Sequence, residues 1–287
     1  MDKKTCAEII KRALSLGADF AEVFWEHRET SAISCEDKKI ERINSGIDEG
    51  VGIRVMAGSQ TSYAYTNDLS PESLFRVAET AGKAAARQVA GTRDLDFYTP
   101  KPLVDFTVEL PPEEVPIEEK VEKVFLADRA ARQVDSRVRQ VSVSYADVRQ
   151  KVTIANSDGV YVNDLRTRTR FSVNVVAAEN GVMQTGYRSA GGTVGFELLE
   201  KEDPAELGRK AAERAVMMLG AQPAPSGKMP VVLAGEAGGT MVHEACGHGL
   251  EADLVQKKLS VYAGKKGELV ASPLVTVVDD GTIPGKF

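Results

Sequence analysis

The chain has 287 residues, with 36 Lys and Arg against 42 Asp and Glu, for a net charge of −6. At roughly 150 residues per domain this length predicts about two domains, and 43% hydrophobic with 27% charged residues excludes wholesale disorder. The mild acidity argues against a dedicated nucleic-acid binder, which carries a concentrated basic face, and 6% aromatic residues argue against a base-stacking platform.

Charged residues recur through the N-terminus, so no signal-peptide core is present, and no apolar run approaches the ~18 residues of a membrane span. Ala7 to Leu16 reads as a helix with Ile9, Ile10, Ala13 and Leu14 on one face. Strand signals follow at Phe20 to His27, Thr30 to Cys35, Val51 to Ala57 and Thr61 to Thr66. Ser70 as N-cap with Pro71 at the first helical position starts a helix predicted to reach about Gln88. Prolines at 100, 102, 111, 112 and 116 mark a joint, with a domain boundary near residue 110.

The order then repeats. Ile117 to Val134 has helical spacing, while Val138 to Tyr145, Val148 to Ile154 and Phe171 to Ala178 read as strands. Asp158-Gly159 marks a turn and Asn180-Gly181 a hairpin. Asp203-Pro204 caps a helix running to about Leu219. This is either an internal duplication of an α+β unit or two unrelated α+β segments. A Pro-rich joint at 222–227 precedes a predicted buried strand, Pro230 to Ala234. A glycine-rich helix entry, Gly235 to Thr240, comes next, then a β-rich remainder. The expected fold class is α+β: one repeat over 1–110, a second over 111–225, and the start of a β-rich domain over 226–287.

Three histidines occur, and two fall in His243-Glu244-Ala245-Cys246-Gly247-His248. Imidazole is a common zinc ligand, and a neighbouring Glu can act as general base. The spacing is H-E-x-x-x-H, one residue longer than the usual zinc helix. Five steps of ~100° leave the second ring ~140° round a regular helix from the first. A joint site therefore requires a π-bulge, or a bend at Gly247; the other reading is coincidence on a polar helix face. Cys246, Glu251 and Asp253 are nearby substitutes for a third ligand in principle. Arg166, Arg168 and Arg170 alternate on a strand as a solvated face. His27 reads as structural, Cys6 and Cys35 as inert thiols, and Asp279-Asp280-Gly281 as a turn. Ser260 and Tyr262 have no evident mechanism. Three unpatterned cysteines give no disulfide framework and predict a reduced, cytoplasmic protein.

Gly238-Gly239-Thr240-Met241-Val242-His243-Glu244-Ala245-Cys246-Gly247-His248-Gly249-Leu250-Glu251-Ala252-Asp253 resembles the signature of the TldD/PmbA metallopeptidases, also called modulators of DNA gyrase. Gly50 to Val55, Ser157-Asp158-Gly159 and Val275 to Gly285 resemble the same family, in the same order. The resemblance implies a TldD-type zinc metallopeptidase subunit acting on peptides or unfolded proteins. His243 and His248 would be zinc ligands and Glu244 the catalytic base. The implied partner is a PmbA/TldE-like subunit, or a second copy in a homodimer; no membrane or nucleic acid is implied. The family's third ligand is a cysteine far downstream of the histidines, and no cysteine follows Cys246 here. The resemblance therefore places that ligand beyond residue 287, with the chain truncated before it. The alternatives are a catalytically incomplete binding or assembly subunit, and a gyrase modulator.

Overall fold

A computed structural model of the chain describes residues 1–85, 95–102, 104, 106–280 and 282–283. The predicted end of a helix at Gln88, Gly281 of the expected turn, and the segment 284–287 lie outside them. The described residues form two units, one over 1–221 and one over 222–280.

The first unit is built on one antiparallel sheet. Its elements are α1 (Lys3–Leu14), β1 (Phe20–Glu36), β2 (Lys39–Ala57), β3 (Gln60–Thr66) and α2 (Pro71–Ala85), then α3 (Ile117–Gln133), β4 (Val138–Asn156), β5 (Tyr161–Glu179), β6 (Val182–Gly192), α4 (Leu198–Lys201) and α5 (Pro204–Met218). The six strands lie in the order β3-β2-β1-β4-β5-β6. Helix, three strands, helix thus occurs twice, and β1 and β4 meet at the centre of the sheet. The architecture is mixed α and β.

Side chains alternate across a strand, and the buried apolar positions of β1, β2, β4 and β5 that face the helices are odd-numbered. Ala21, Val23, Val51, Ile53 and Val55 pack with Ile9, Ile10, Val77 and Ala78 of α1 and α2 in one core. Val141, Val143, Tyr145, Phe171, Val173 and Val175 pack with Val124, Ala127, Leu207 and Ala211 of α3 and α5 in the other. β1 runs through both cores, because Ile33 and Cys35 at its far end join the second. β4 does the reverse, sending Ala155 back to the first.

Several expectations are refined. The strand pairs expected at 20–27 with 30–35, and at 138–145 with 148–154, are single strands, since no Gly or Pro interrupts either run. α1 begins at Lys3 rather than Ala7, because the Asp2 carboxylate accepts the Thr5 amide at 3.0 Å and caps it. The β1–β2 turn uses Asp37 and Lys38 at φ 47° and 68°, a left-handed pair without glycine. Arg132 of α3 holds the Asp37 carboxylate at 2.6 Å, keeping its carboxyl below the usual range and fixing the turn. The Asn180-Gly181 hairpin forms as expected, at φ 51° and 79°.

Buried charges brace this unit, and one of them, Glu197, ties in the joint near residue 110. Lys120 and Asp147 form an ion pair at 2.8 Å, with residue exposures of 4% and 8%. Glu197 is buried and accepts the amides of Gly195 and Leu110 at 2.9 and 3.0 Å. Burial opposes its charge, but the converging backbone amides prevail and hold its carboxyl below the ordinary value.

The second unit corrects two expectations, the strand at Pro230 to Ala234 and the β-rich remainder, since none of its described residues forms a strand. Pro230 to Ala234 forms no strand, and Val232 is 99% exposed, because no described strand of this unit offers a ladder to bury it. The unit instead contains α6 (Gly235–Val242), a π-helical turn (His243–Gly247), a 3-10 turn (His248–Leu250) and α7 (Ala252–Gln256), with turns beyond. The glycine-rich stretch from Gly235 is therefore already helical.

Breaking a buried ion pair strands its partner charge. Lys120→Met is expected to lower stability by about 3–5 kcal/mol in urea denaturation, and Lys120→Met/Asp147→Leu to recover most of it. Equal losses in the single and double variants would contradict this account of the pair.

Candidate metal centre

The five-residue spacing of the histidines is resolved by a change of helix type. α6 ends at Val242, and the next five residues form a π-helical turn. The His248 amide donates to the His243 carbonyl, five residues back. The turn thereby absorbs the extra residue. The two imidazole rings lie 4.5 Å apart between centroids and cross at 73°. One donor atom each of His243, Glu244 and His248 lies within 4.8 Å of the others. Among the described residues this is the one group of three or more such side chains able to hold a metal ion. All three are exposed.

The carboxylate of Glu251, a candidate third ligand by sequence, has another role here. It lies 2.7 Å from Nδ1 of His248. That hydrogen bond, reinforced by the charge of Glu251 and more weakly of Glu244, raises the pKa of His248. It also engages Nδ1 and leaves Nε2 directed toward Glu244, 3.7 Å from its Oε2. A carboxylate on the far nitrogen is the usual means of orienting a ligating imidazole. The Cys246 thiol donates to the Val242 carbonyl at 3.1 Å, back along the helix. Asp253 faces Lys257 at 3.4 Å. Neither joins the group.

Ser260 and Tyr262 acquire a structural reason. Ser260 Oγ donates to the Gly249 carbonyl at 2.5 Å and accepts the Tyr262 amide at 3.0 Å. The Tyr262 ring covers Gly249 so closely that an added Cβ would meet it at 2.8 Å. These residues brace the segment directly after His248. The sequence signal was the glycine following the histidine, which permits close approach of a ring.

The donor set suits a borderline metal such as zinc. Two neutral imidazoles are normal zinc ligands, and the adjacent carboxylate is placed beside them rather than away. His27, the three arginines, Cys6 and Cys35 lie in the first unit. His27 contacts Glu29 at 3.1 Å and Glu49 at 3.5 Å and stacks beside Trp25. Arg166 pairs with Asp164, Arg168 donates to Gln150, and Arg170 donates to Tyr187. Cys6 and Cys35 are buried, and burial pushes both thiols up to about 11.

Comparison with known proteins covers the chain in three segments. Residues 21–85 match the PmbA/TldA metallopeptidase domain 1, residues 110–219 its central domain, and residues 226–287 its C-terminal domain. A metalloprotease of Methanothermobacter thermautotrophicus is 38% identical over 270 residues, 93% of this chain and 58% of that protein. A metalloprotease TldD homologue of Haemophilus influenzae is 36% identical over 274 residues, 93% of this chain and 57% of that protein. The chain therefore spans just under three fifths of the length of these relatives. The crystal structure of TldE from Thermococcus kodakarensis is similar in fold, with a TM-score of 0.65 at 14% identity over 91% of this chain and 58% of that one.

Replacing Glu251 by Gln removes the charge that favours the His248 imidazolium. In an NMR titration of the metal-free chain, His248 is expected to lose its proton at a lower pH in Glu251→Gln than in the wild type. An unchanged midpoint would show that Glu251 does not engage this ring.

Proposed function

The chain belongs to the PmbA/TldD metallopeptidase family, and on that premise we propose that it carries the histidine half of a zinc peptidase site. The observation that supports this most directly is the π-helical turn, which brings His243 and His248 together despite a spacing that a regular helix would not tolerate. In this reading His243 and His248 are ligands through one ring nitrogen each. Zinc, when bound, supplies Lewis acidity and brings the pKa of water toward about 7.

Glu244 is the general base. Its carboxylate takes a proton from the attacking water and returns it to the leaving amine as the peptide bond breaks. Glu251 holds the His248 ring in the tautomer and orientation that present Nε2. Catalytic zinc sites normally use three protein ligands. These residues supply two histidines, and the reading assigns the third to the family's cysteine, C-terminal to the motif. The substrates are peptides or unfolded proteins. The partner is a PmbA/TldE-like subunit or a second copy, a reading supported by the fold shared with TldE. No helix of the described residues is long and apolar enough to cross a membrane.

The test separates ligand from base. About one zinc per chain is expected by elemental analysis, lost in His243→Ala and His248→Ala and retained in Glu244→Gln. Peptide hydrolysis by the assembled enzyme is expected to disappear in Glu244→Gln, by a factor of at least about 100. Zinc that survives both histidine changes would contradict the ligand assignment. Hydrolysis that survives Glu244→Gln would contradict the base assignment alone.

A further inference from the structure

The face of the sheet turned away from the helices holds a trough where β1, β2 and β3 meet. Cross-strand partners share a face, so the three strands build it in rows. Phe24, Gly52 and Tyr65 form one row, and Glu26 with Gly50 forms the next. The two glycines keep its floor low. An added Cβ at Gly52 would collide with the Tyr63 hydroxyl, and one at Gly50 would stand 3.0 Å from the Thr66 carbonyl. The trough continues along β2 to Asp48 and has a volume of about 710 Å³. From Gly52 to Asp48 it follows four residues of strand, about 13 Å. That is longer than one side chain.

Its walls are aromatic and its charges are all negative. Tyr63 and Tyr65 are 62% and 78% exposed, with rings 6.3 Å apart at 29°. Glu26, Asp48 and Glu49 line the trough together with these rings, and no Lys or Arg does. One row away, Arg54 holds the Glu22 carboxylate at 2.9 Å. Within the trough no guanidinium or ammonium does the same. The Gln150 amide donates to Glu26, and the Trp25 indole donates to Glu49 at 3.1 Å, with His27 at 3.5 Å. The Asp48 carboxylate has no hydrogen bond or ion pair among the described residues, although Arg28 is its cross-strand neighbour on β1.

A guanidinium suits this combination. It is flat and stacks on a tyrosine ring, while its N–H fork meets a carboxylate. An ammonium makes the charge contact without the stack. An anion would be repelled, and an apolar group would strip water from the carboxylates without replacing it. We propose that this trough binds an extended peptide through an arginine side chain, stacked on the tyrosine rings and neutralised by Glu26 and Asp48. The length of the trough favours a peptide over a free cation, and the peptide as occupant also rests on the peptidase reading above. The trough then selects among substrates by a basic residue, through contacts that belong wholly to the first unit.

An NMR titration of the metal-free 287-residue chain tests it, with circular dichroism to confirm that each variant folds. The probe is the peptide acetyl-Gly-Gly-Arg-Gly-Gly-amide, beside counterparts with citrulline or lysine in place of arginine. Neither zinc nor hydrolysis enters this measurement, so its failure would leave the peptidase reading standing. Saturable shifts are expected at the Gly50 and Gly52 amides with the arginine peptide. The citrulline peptide, which keeps the shape and loses the charge, is expected to bind at least about tenfold more weakly. Tyr65→Leu and Asp48→Asn are each expected to weaken the arginine peptide about fivefold. A citrulline or lysine peptide that binds as tightly as the arginine one would overturn the proposal. So would shifts that leave Gly50 and Gly52 unmoved, or undiminished binding in both variants.

Discussion

The antiparallel pairing of β1 with β4 organises the first unit. It runs from Glu22 opposite Asn156 to Glu36 opposite Ser142, and it joins the two helix–strands–helix halves edge to edge. Each strand lends its far end to the other half's core: Ile33 and Cys35 pack with α3 and α5, and Ala155 with the group around α1 and α2. Period-two alternation then fixes the rest. A slip of one residue in this central pair would turn both sets of apolar side chains away from the helices at once. The helices cover one face only, and the opposite face carries the paired arginines of β5.

The second unit is governed by a different constraint, the distance between two imidazoles. A helix that keeps its regular turn carries His248 away from His243. One π-helical turn restores the meeting, and such turns are costly enough to be rare outside functional positions. The surrounding contacts all act on the same short segment. Glu251 fixes the His248 ring, Cys246 turns back to the helix, and Ser260 with Tyr262 braces Gly249. A carboxylate on the far nitrogen holds an imidazole in one orientation, and Glu251 does this for His248.

What the sequence disclosed follows from where apolar contrast is strong. α1 and α3 were legible from apolar spacing, α2 and α5 from their Ser70-Pro71 and Asp203-Pro204 starts, and strands with alternating burial such as β5 from their period. Residues 39–50 of β2 were not, because they are exposed on both faces and carry no alternation. The Asp37-Lys38 turn was silent because its left-handed pair contains no glycine and is held by Arg132 from a distant helix. Pro230 to Ala234 misled through composition: five apolar residues suggest a buried strand, but burial requires a partner ladder. At the metal centre, the spacing alone demanded a π-bulge or a bend, and the π-helical turn is found. Glu251 was visible as a carboxylate three residues after His248, yet whether it bonds the ring or joins the ligands depends on side-chain direction.

The central claim is that His243 and His248 hold one metal ion across a π-helical turn. Anomalous diffraction at the zinc edge, from crystals grown with zinc, tests it most directly. The account predicts a single strong peak about 2.0–2.1 Å from one nitrogen of each ring, with the His248 amide still bonded to the His243 carbonyl. A peak elsewhere, or a regular helix with the two rings diverging, would contradict it.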